Sequence, residues 1–316
     1  TAVFISLFFD TWRLRRQFTL GVLAYVGMVV SLLLYGPYSY ILYGIFSGCT
    51  LWFYWVSVNY VFFGKSEKQQ HAKDFNIYFL IGPLLGIILP PVVSLIIYSF
   101  GFFVLFSLTG LLTLLPLFYL SRDEFDQTLY IPFKEANKKI SGLRLYSALN
   151  DGLHFFQGHF LAVYILLFLS TEYEIGGMIS YLALMSLLVT LFLSHVSDKT
   201  QKRMRHLTPV MVGMWVAILS MIFVKSSFIF LIIVGIYAVL DNMSLPIRFA
   251  IPMDVRKPDI GFWRAMEVYG NLGRFVVFSI SSLLLYIGNF WLPLVLFAVM
   301  SFGLPVLVRL RVKGVQ

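Results

Sequence analysis

Ser194 to Val224 reads SHVSDKTQKRMRHLTPVMVGMWVAILSMIFV. Up to Arg205 it holds one carboxylate, Asp198, and the cations Lys199, Lys202, Arg203 and Arg205; from Leu207 onward it holds no charged residue. An α-helix advances about 1.5 Å per residue, so about 20 apolar residues cross the hydrocarbon core of a bilayer. The stretch therefore predicts a membrane-spanning helix entered from a basic turn.

Working outward in both directions, the same reading finds ten apolar runs: Phe18 to Tyr35, Tyr38 to Phe63, Phe75 to Ser99, Phe102 to Leu120, Arg144 to Leu169, Ile175 to Val196, Leu207 to Val224, Phe228 to Ala250, Trp263 to Ile287 and Phe290 to Val308. A transmembrane β-barrel would alternate in polarity, whereas these runs are continuously apolar, so helices are expected. Composition agrees. The 316 residues are 59% hydrophobic and only 12% charged, against about 25% charged in a soluble domain. The expectation is an all-α polytopic membrane protein with about ten complete spans. The single cysteine, Cys49, excludes an internal disulfide and a cysteine-based metal cluster.

The net charge of +9 is explained by where it lies. Lys and Arg cluster in alternate connections: Arg13/Arg15/Arg16, Lys65 to Lys73, Arg122 to Arg144, Lys199 to Arg205, Arg248 to Arg264, and the tail Arg309/Arg311/Lys313. Basic loops are retained in the cytoplasm during insertion, which predicts that all of these face inward across a plasma (inner) membrane. Lys225 alone lies on the outer side and Arg274 alone lies deep in a span. Topology thus accounts for the charge, and no nucleic-acid partner is required.

An internal repeat appears in two places. Ser6-x-x-x-Asp10 with Arg13, Arg15 and Arg16 echoes Ser194-x-x-x-Asp198-Lys199 with Lys202 and Arg203, and His71-Ala72-Lys73-Asp74-Phe75 echoes Arg264-Ala265-Met266-Glu267-Val268. The two offsets differ only by a loop's length, as expected of duplicated bundles. On these residues the whole chain resembles the major facilitator superfamily, with its Gly-x-x-x-Asp-Arg/Lys-x-Gly-Arg/Lys-Arg/Lys signature after helices 2 and 8. The second copy matches better. Ser194 and Gln201 replace its glycines, and in the first copy Thr11 and Arg13 stand where a basic residue and a glycine belong.

The resemblance implies two six-helix bundles related by a pseudo-twofold axis: residues 1–120, a cytoplasmic linker 121–143, and residues 144–316. It also implies that helix 1 and most of helix 2 are missing. Asp10, Arg13, Arg15 and Arg16, with Asp198, Lys199, Lys202 and Arg203, would form the gating motif that latches the outward-facing state. The competing reading of these charges is a pair of solvated helix ends.

Polar side chains within spans mark candidate pathway residues, because each costs free energy unless it faces protein or water. Asn150, His154 and Gln157 share a helix face, with Asp151 beside them. Asp241, Asn242, Asn271, Arg274 and Asn59 complete the candidate set. Arg274 lies about 16 Å along its span, so a counter-ion is expected, either Asp151 or Asp241. Gly44-x-x-x-Gly48 and Gly82-x-x-x-Gly86 read as close-packing faces. Trp52 to Trp55 read as packing or headgroup anchors.

The expected function is a secondary transporter moving a small solute by alternating access, proton-coupled by resemblance, monomeric and without cofactor. No phosphate-binding loop is present, which argues against direct ATP drive. No nucleophile–base pair marks an enzyme, and His154 and His159 are too poorly spaced to hold a metal. The alternative is a lipid-handling or non-transporting member of the same fold. A polar chamber would favour a solute, and an apolar opening lined by Phe and Leu would favour lipid.

Overall fold

The structure is a computed structural model. It describes residues 1–312 apart from 9, 35, 64–70, 122–125, 131, 170 and 201. In chain order the helices are α1 (Ala2–Phe8), α2 (Leu14–Ser31), α3 (Pro37–Thr50), α4 (Val56–Phe63), α5 (His71–Leu112), α6 (Phe133–Lys139), α7 (Arg144–Phe155), α8 (Leu161–Ile165), α9 (Glu172–Thr200), α10 (Arg203–Met221), α11 (Ser227–Val255), α12 (Ile260–Tyr286) and α13 (Leu292–Arg311). Single π turns, Leu51–Trp55 and Phe156–Phe160, join α3 to α4 and α7 to α8.

Local chemistry sets these boundaries. Gly36, at φ 94°, turns the chain into α3, whose first residue is Pro37; proline there loses no helical hydrogen bond. Thr171 and Glu174 cap the start of α9 reciprocally: the Glu174 carboxylate accepts from the Thr171 N–H, and the Thr171 hydroxyl accepts from the Glu174 N–H. The Asp259 carboxylate accepts from the Phe262 N–H at the opening of α12, 2.8 Å away. Gly101, at φ 76°, breaks α5 between two of the predicted apolar runs.

Each of the ten runs falls largely on helix, but only six helical stretches among the described residues are long and apolar enough to cross a membrane: Pro37–Phe63, Lys73–Phe118, Arg203–Met221, Ser227–Val255, Ile260–Tyr286 and Leu292–Arg311. The number differs because Lys73–Phe118 holds two of the runs and because the runs on α2, on α7 with α8, and on α9 are not among the six. Along α5 the large residues Ile81, Ile88, Leu95 and Phe103 are exposed, as lipid-facing positions should be.

The chain forms two compact units. The first comprises Thr1–Lys65, Leu95–Ser141 and Lys257–Asn271; the second comprises Ser66–Ser94, Gly142–Arg256 and Leu272–Gln316. Neither unit is a continuous half of the sequence. The segments out of sequence order carry the two matched helix openings, at His71 and at Arg264.

In the first unit, β1 (Thr11–Arg13) pairs antiparallel with β2 (Thr128–Tyr130), with Trp12 opposite Leu129. The stretch read as a linker is therefore folded where it is described. Trp12 and Trp52 meet edge to face at 5.5 Å, and the Trp12 indole N–H donates to Ser57 Oγ. In the second unit Phe156 packs between Tyr237 at 5.3 Å and Phe297 at 4.5 Å, which brings α7, α11 and α13 onto one core.

Candidate functional site

Asp10 ends the short connection from α1 into β1. Its Oδ1 accepts from the backbone N–H of Phe133, the first residue of α6, at 3.2 Å, and from Arg264 Nη1 near the start of α12 at 3.1 Å. Arg264 is 2% exposed whereas Asp10 is 43% exposed, so the guanidinium is enclosed and the carboxylate sits at the rim. The rings of Trp52 and Phe133 lie 5.9 and 5.8 Å from the guanidinium carbon. A planar cation over aromatic faces is held in orientation as well as in charge.

The other residues of the first signature do not join this pair. Arg13 and Arg16 are exposed, and Arg15 bonds Asp126 in a bridge whose two side chains both face solvent. In the second signature the Asp198 side chain lies outside the described residues, while Lys199 and Lys202 are exposed. Arg203 is buried, and its Nε donates to Asp254 near the end of α11 at 2.9 Å.

The candidate pathway residues divide between the units. Asn59 and Asn271 belong to the first, and Asn271 donates to the backbone and side chain of Glu267 in its own helix. Asn150, Asp151, His154, Asp241, Asn242 and Arg274 belong to the second; the Gln157 side chain lies outside the described residues. Arg274 takes Asp151 as its counter-ion at 2.9 Å, with 22% and 9% of the two side chains exposed. Asp241 instead pairs with Arg248 in its own helix, both fully enclosed. Asn242 donates to Ser186 Oγ at 2.8 Å.

His154 lies in electrostatic range of Asp241, Arg248 and Arg274, members of the two ion pairs. Buried polar atoms without a hydrogen-bond partner in the second unit include Asn150 Oδ1, His154 Nδ1, Tyr237 Oη, Asp241 Oδ2, and Arg248 Nε and Nη1. Among the described residues no three His, Cys, Asp or Glu side chains group closely enough to hold a metal ion.

Arg203, Arg248 and Arg264 were read as charges of cytoplasmic connections, and all three are buried ion-pair members. For Arg248 a local signal existed, because it follows Asp241 by two helical turns on one face. For Arg264 there was none: its partner is 254 positions away.

The profile of the Major Facilitator Superfamily matches residues 1–261. The chain belongs to that superfamily, a family of multi-pass integral membrane transporters. Its fold is similar to a bacterial homologue of the iron transporter ferroportin in the outward-facing state, at 13% identity and a TM-score of 0.64 over 97% of this chain and 85% of that one. It is also similar to the fucose:proton symporter of E. coli, at 11% identity and a TM-score of 0.63 over 99% and 87% of the two chains. A third similar structure is the human organic anion transporter MFSD10, at 12% identity and a TM-score of 0.56 over 97% and 80%. No curated protein sequence matches the chain.

Proposed function

We propose that this protein is a secondary carrier that moves a small solute by alternating access, driven by a proton gradient, with Asp10 and Arg264 as its inner latch. The observation that carries this reading is the Asp10–Arg264 bond. It ties the signature of the first half to the opening of a helix from the second half, as a latch that closes the inner side must. The division into bundles 1–120 and 144–316 rests on the repeat of the signature and of the helix openings at His71 and Arg264; the compact units cut across it. The likeness to an outward-facing structure accords with a closed inner latch.

The similar folds are described as a homologue of an iron transporter, a fucose:proton symporter and an organic anion transporter, so fold alone does not select the cargo. The proton symporter among them favours gradient coupling. Within the chain, Asp151 and Arg274 are the charge pair best suited to open during transport, since Arg274 keeps some exposure. His154 and Asp241 are the candidates to exchange a proton. The basic connections face the cytoplasm of a plasma membrane, and the working form is a monomer without cofactor or nucleic-acid partner.

The test is uptake and efflux of a solute panel in reconstituted vesicles, with and without an imposed proton gradient. Carriage of some solute that Asp10→Asn abolishes in folded protein is the expected result; a carrier indifferent to Asp10 would remove the latch. Undiminished transport in Arg274→Gln would remove that residue from the pathway.

A second reading has its own observation. A cavity of about 580 Å³ in the second unit is lined by Leu169, Met178, Phe228, Leu231 and Ile232, with Glu174 and Tyr181 as its main polar contributions. So apolar a wall favours a lipid-handling protein. Co-purifying phospholipid lost in Leu231→Trp, with no solute carried, would favour that reading.

A further inference from the structure

The short helix α6 is fixed along its whole length to the residues that make the latch. Its first N–H is held by Asp10, the carboxylate that also holds Arg264. One turn on, Asn137 Oδ1 accepts from the Tyr269 hydroxyl of α12 at 2.9 Å. At its end, Lys139 Nζ donates to Asp259 Oδ2, while the other oxygen of Asp259 caps α12. Ala136 and Ile140, one turn apart, are fully buried, so the helix is seated by packing as well as by its polar ends. The Phe133 and Trp52 rings lie 5.8 and 5.9 Å from the Arg264 guanidinium carbon.

We infer that α6 is a working part of the inner latch, and that Asn137, Lys139, Asp259 and Tyr269 are positioning residues that hold Arg264 against Asp10. This rests on the alternating-access reading of Asp10 and Arg264. The Asp10 carboxylate is exposed enough that an isolated pair would be weak. Fixing α6 to α12 at two further points presents the Phe133 ring and N–H in place, so that closing the latch requires less ordering. Opening the inner side would then require α6 to leave α12, with the Lys139–Asp259 and Asn137–Tyr269 contacts breaking in the same step as Asp10–Arg264.

The test uses the full chain in inside-out vesicles, with Cys49→Ser as the background and Ser57→Cys, at a fully buried position, as reporter. The readout is the rate of labelling by a charged, membrane-impermeant thiol reagent. Lys139→Ala, Asp259→Asn and Tyr269→Phe are each expected to raise it on the order of two- to five-fold, with thermal unfolding unchanged. Asparagine retains the cap of α12, so Asp259→Asn removes only the charge. The double variant Lys139→Ala/Asp259→Asn should label no faster than the faster single, because the two side chains act through one contact.

If Asp10→Asn raises labelling and these variants do not, α6 is merely packed there and the inference falls while the latch stands. Additive effects of Lys139→Ala and Asp259→Asn would equally overturn the contact between them. If Asp10→Asn itself changes nothing, the latch reading fails first. A second reporter, Ser39→Cys at the other end of the first unit's helices, read in right-side-out vesicles, should label more slowly whenever Ser57→Cys labels faster in inside-out ones. Loss of that reciprocity, with the Ser57→Cys result intact, would leave α6 in place and overturn alternation instead.

Discussion

Removing the Asp241 carboxylate leaves the Arg248 guanidinium enclosed with no counter-ion, since both side chains are 0% exposed. Breaking a buried pair from one side costs about 3–5 kcal/mol, whereas replacing both partners by apolar residues of similar volume is often neutral. Asp241→Ala should therefore lower the unfolding temperature in detergent far more than the double variant Asp241→Leu/Arg248→Met. Equal losses would show that the pair is hydrated and already compensated. If the Asp10–Arg264 pair is the proposed latch, the Ser57→Cys reporter should label nearly as fast in Arg264→Lys as in Arg264→Ala, because an ammonium keeps the charge but lacks the planar group that lies over Trp52 and Phe133. Full function in Arg264→Lys would reduce the contact to simple charge attraction. Sequence reading singles out Asp10 because its signature is local and repeated. It missed Arg264 because nothing near position 264 announces a partner at position 10, and it took Arg248 for a loop charge because the apolar run fades there. Arg274 was expected to need a carboxylate, and of the two candidates only packing could select Asp151.

At the scale of helices, the decisive contact is where α7 crosses α12. A Cβ built on Gly273 would lie 2.0 Å from the backbone oxygen of Ala148, and backbone cannot step aside as a side chain does. Gly273→Ala is expected to part the two helices at a cost of several kcal/mol, in the upper part of the overpacking range or beyond it. Gly44 has nothing within 4 Å of the corresponding point, so Gly44→Ala should be neutral or stabilising by up to about 1 kcal/mol through helix propensity. Thermal melts of the two variants check both statements, and a Gly273→Ala protein that melts normally would disprove the crossing. The small-residue patterns were thus half informative. Gly48 meets Thr1 and Gly86 meets Ala183 closely, while Gly44 and Gly82 face open space. Spacing within one helix shows that an approach is permitted, and the neighbour decides whether it occurs. The helices were legible because lipid imposes long apolar runs. The pairing of β1 with β2 was not, since three residues carry no period and their partners lie more than a hundred positions away.

In the whole molecule, the first unit closes only with residues 257–271 and the second only with residues 66–94. Cutting the chain within 122–125 should therefore leave two polypeptides that co-purify when expressed together and fail to accumulate when expressed alone. Separate purification of stable halves would contradict the exchange. The repeat was readable in the sequence through its signatures and helix openings. The exchange of segments was not, because it is a property of packing and leaves no mark on either segment. It also sets an order of events during synthesis. A ribosome that has delivered the first 121 residues has made most of one unit, yet the seat for Arg264 beside Trp52 has no occupant until more than 140 further residues have emerged. Until then Asp10 and the Trp52 ring await the cation that they hold in the finished protein.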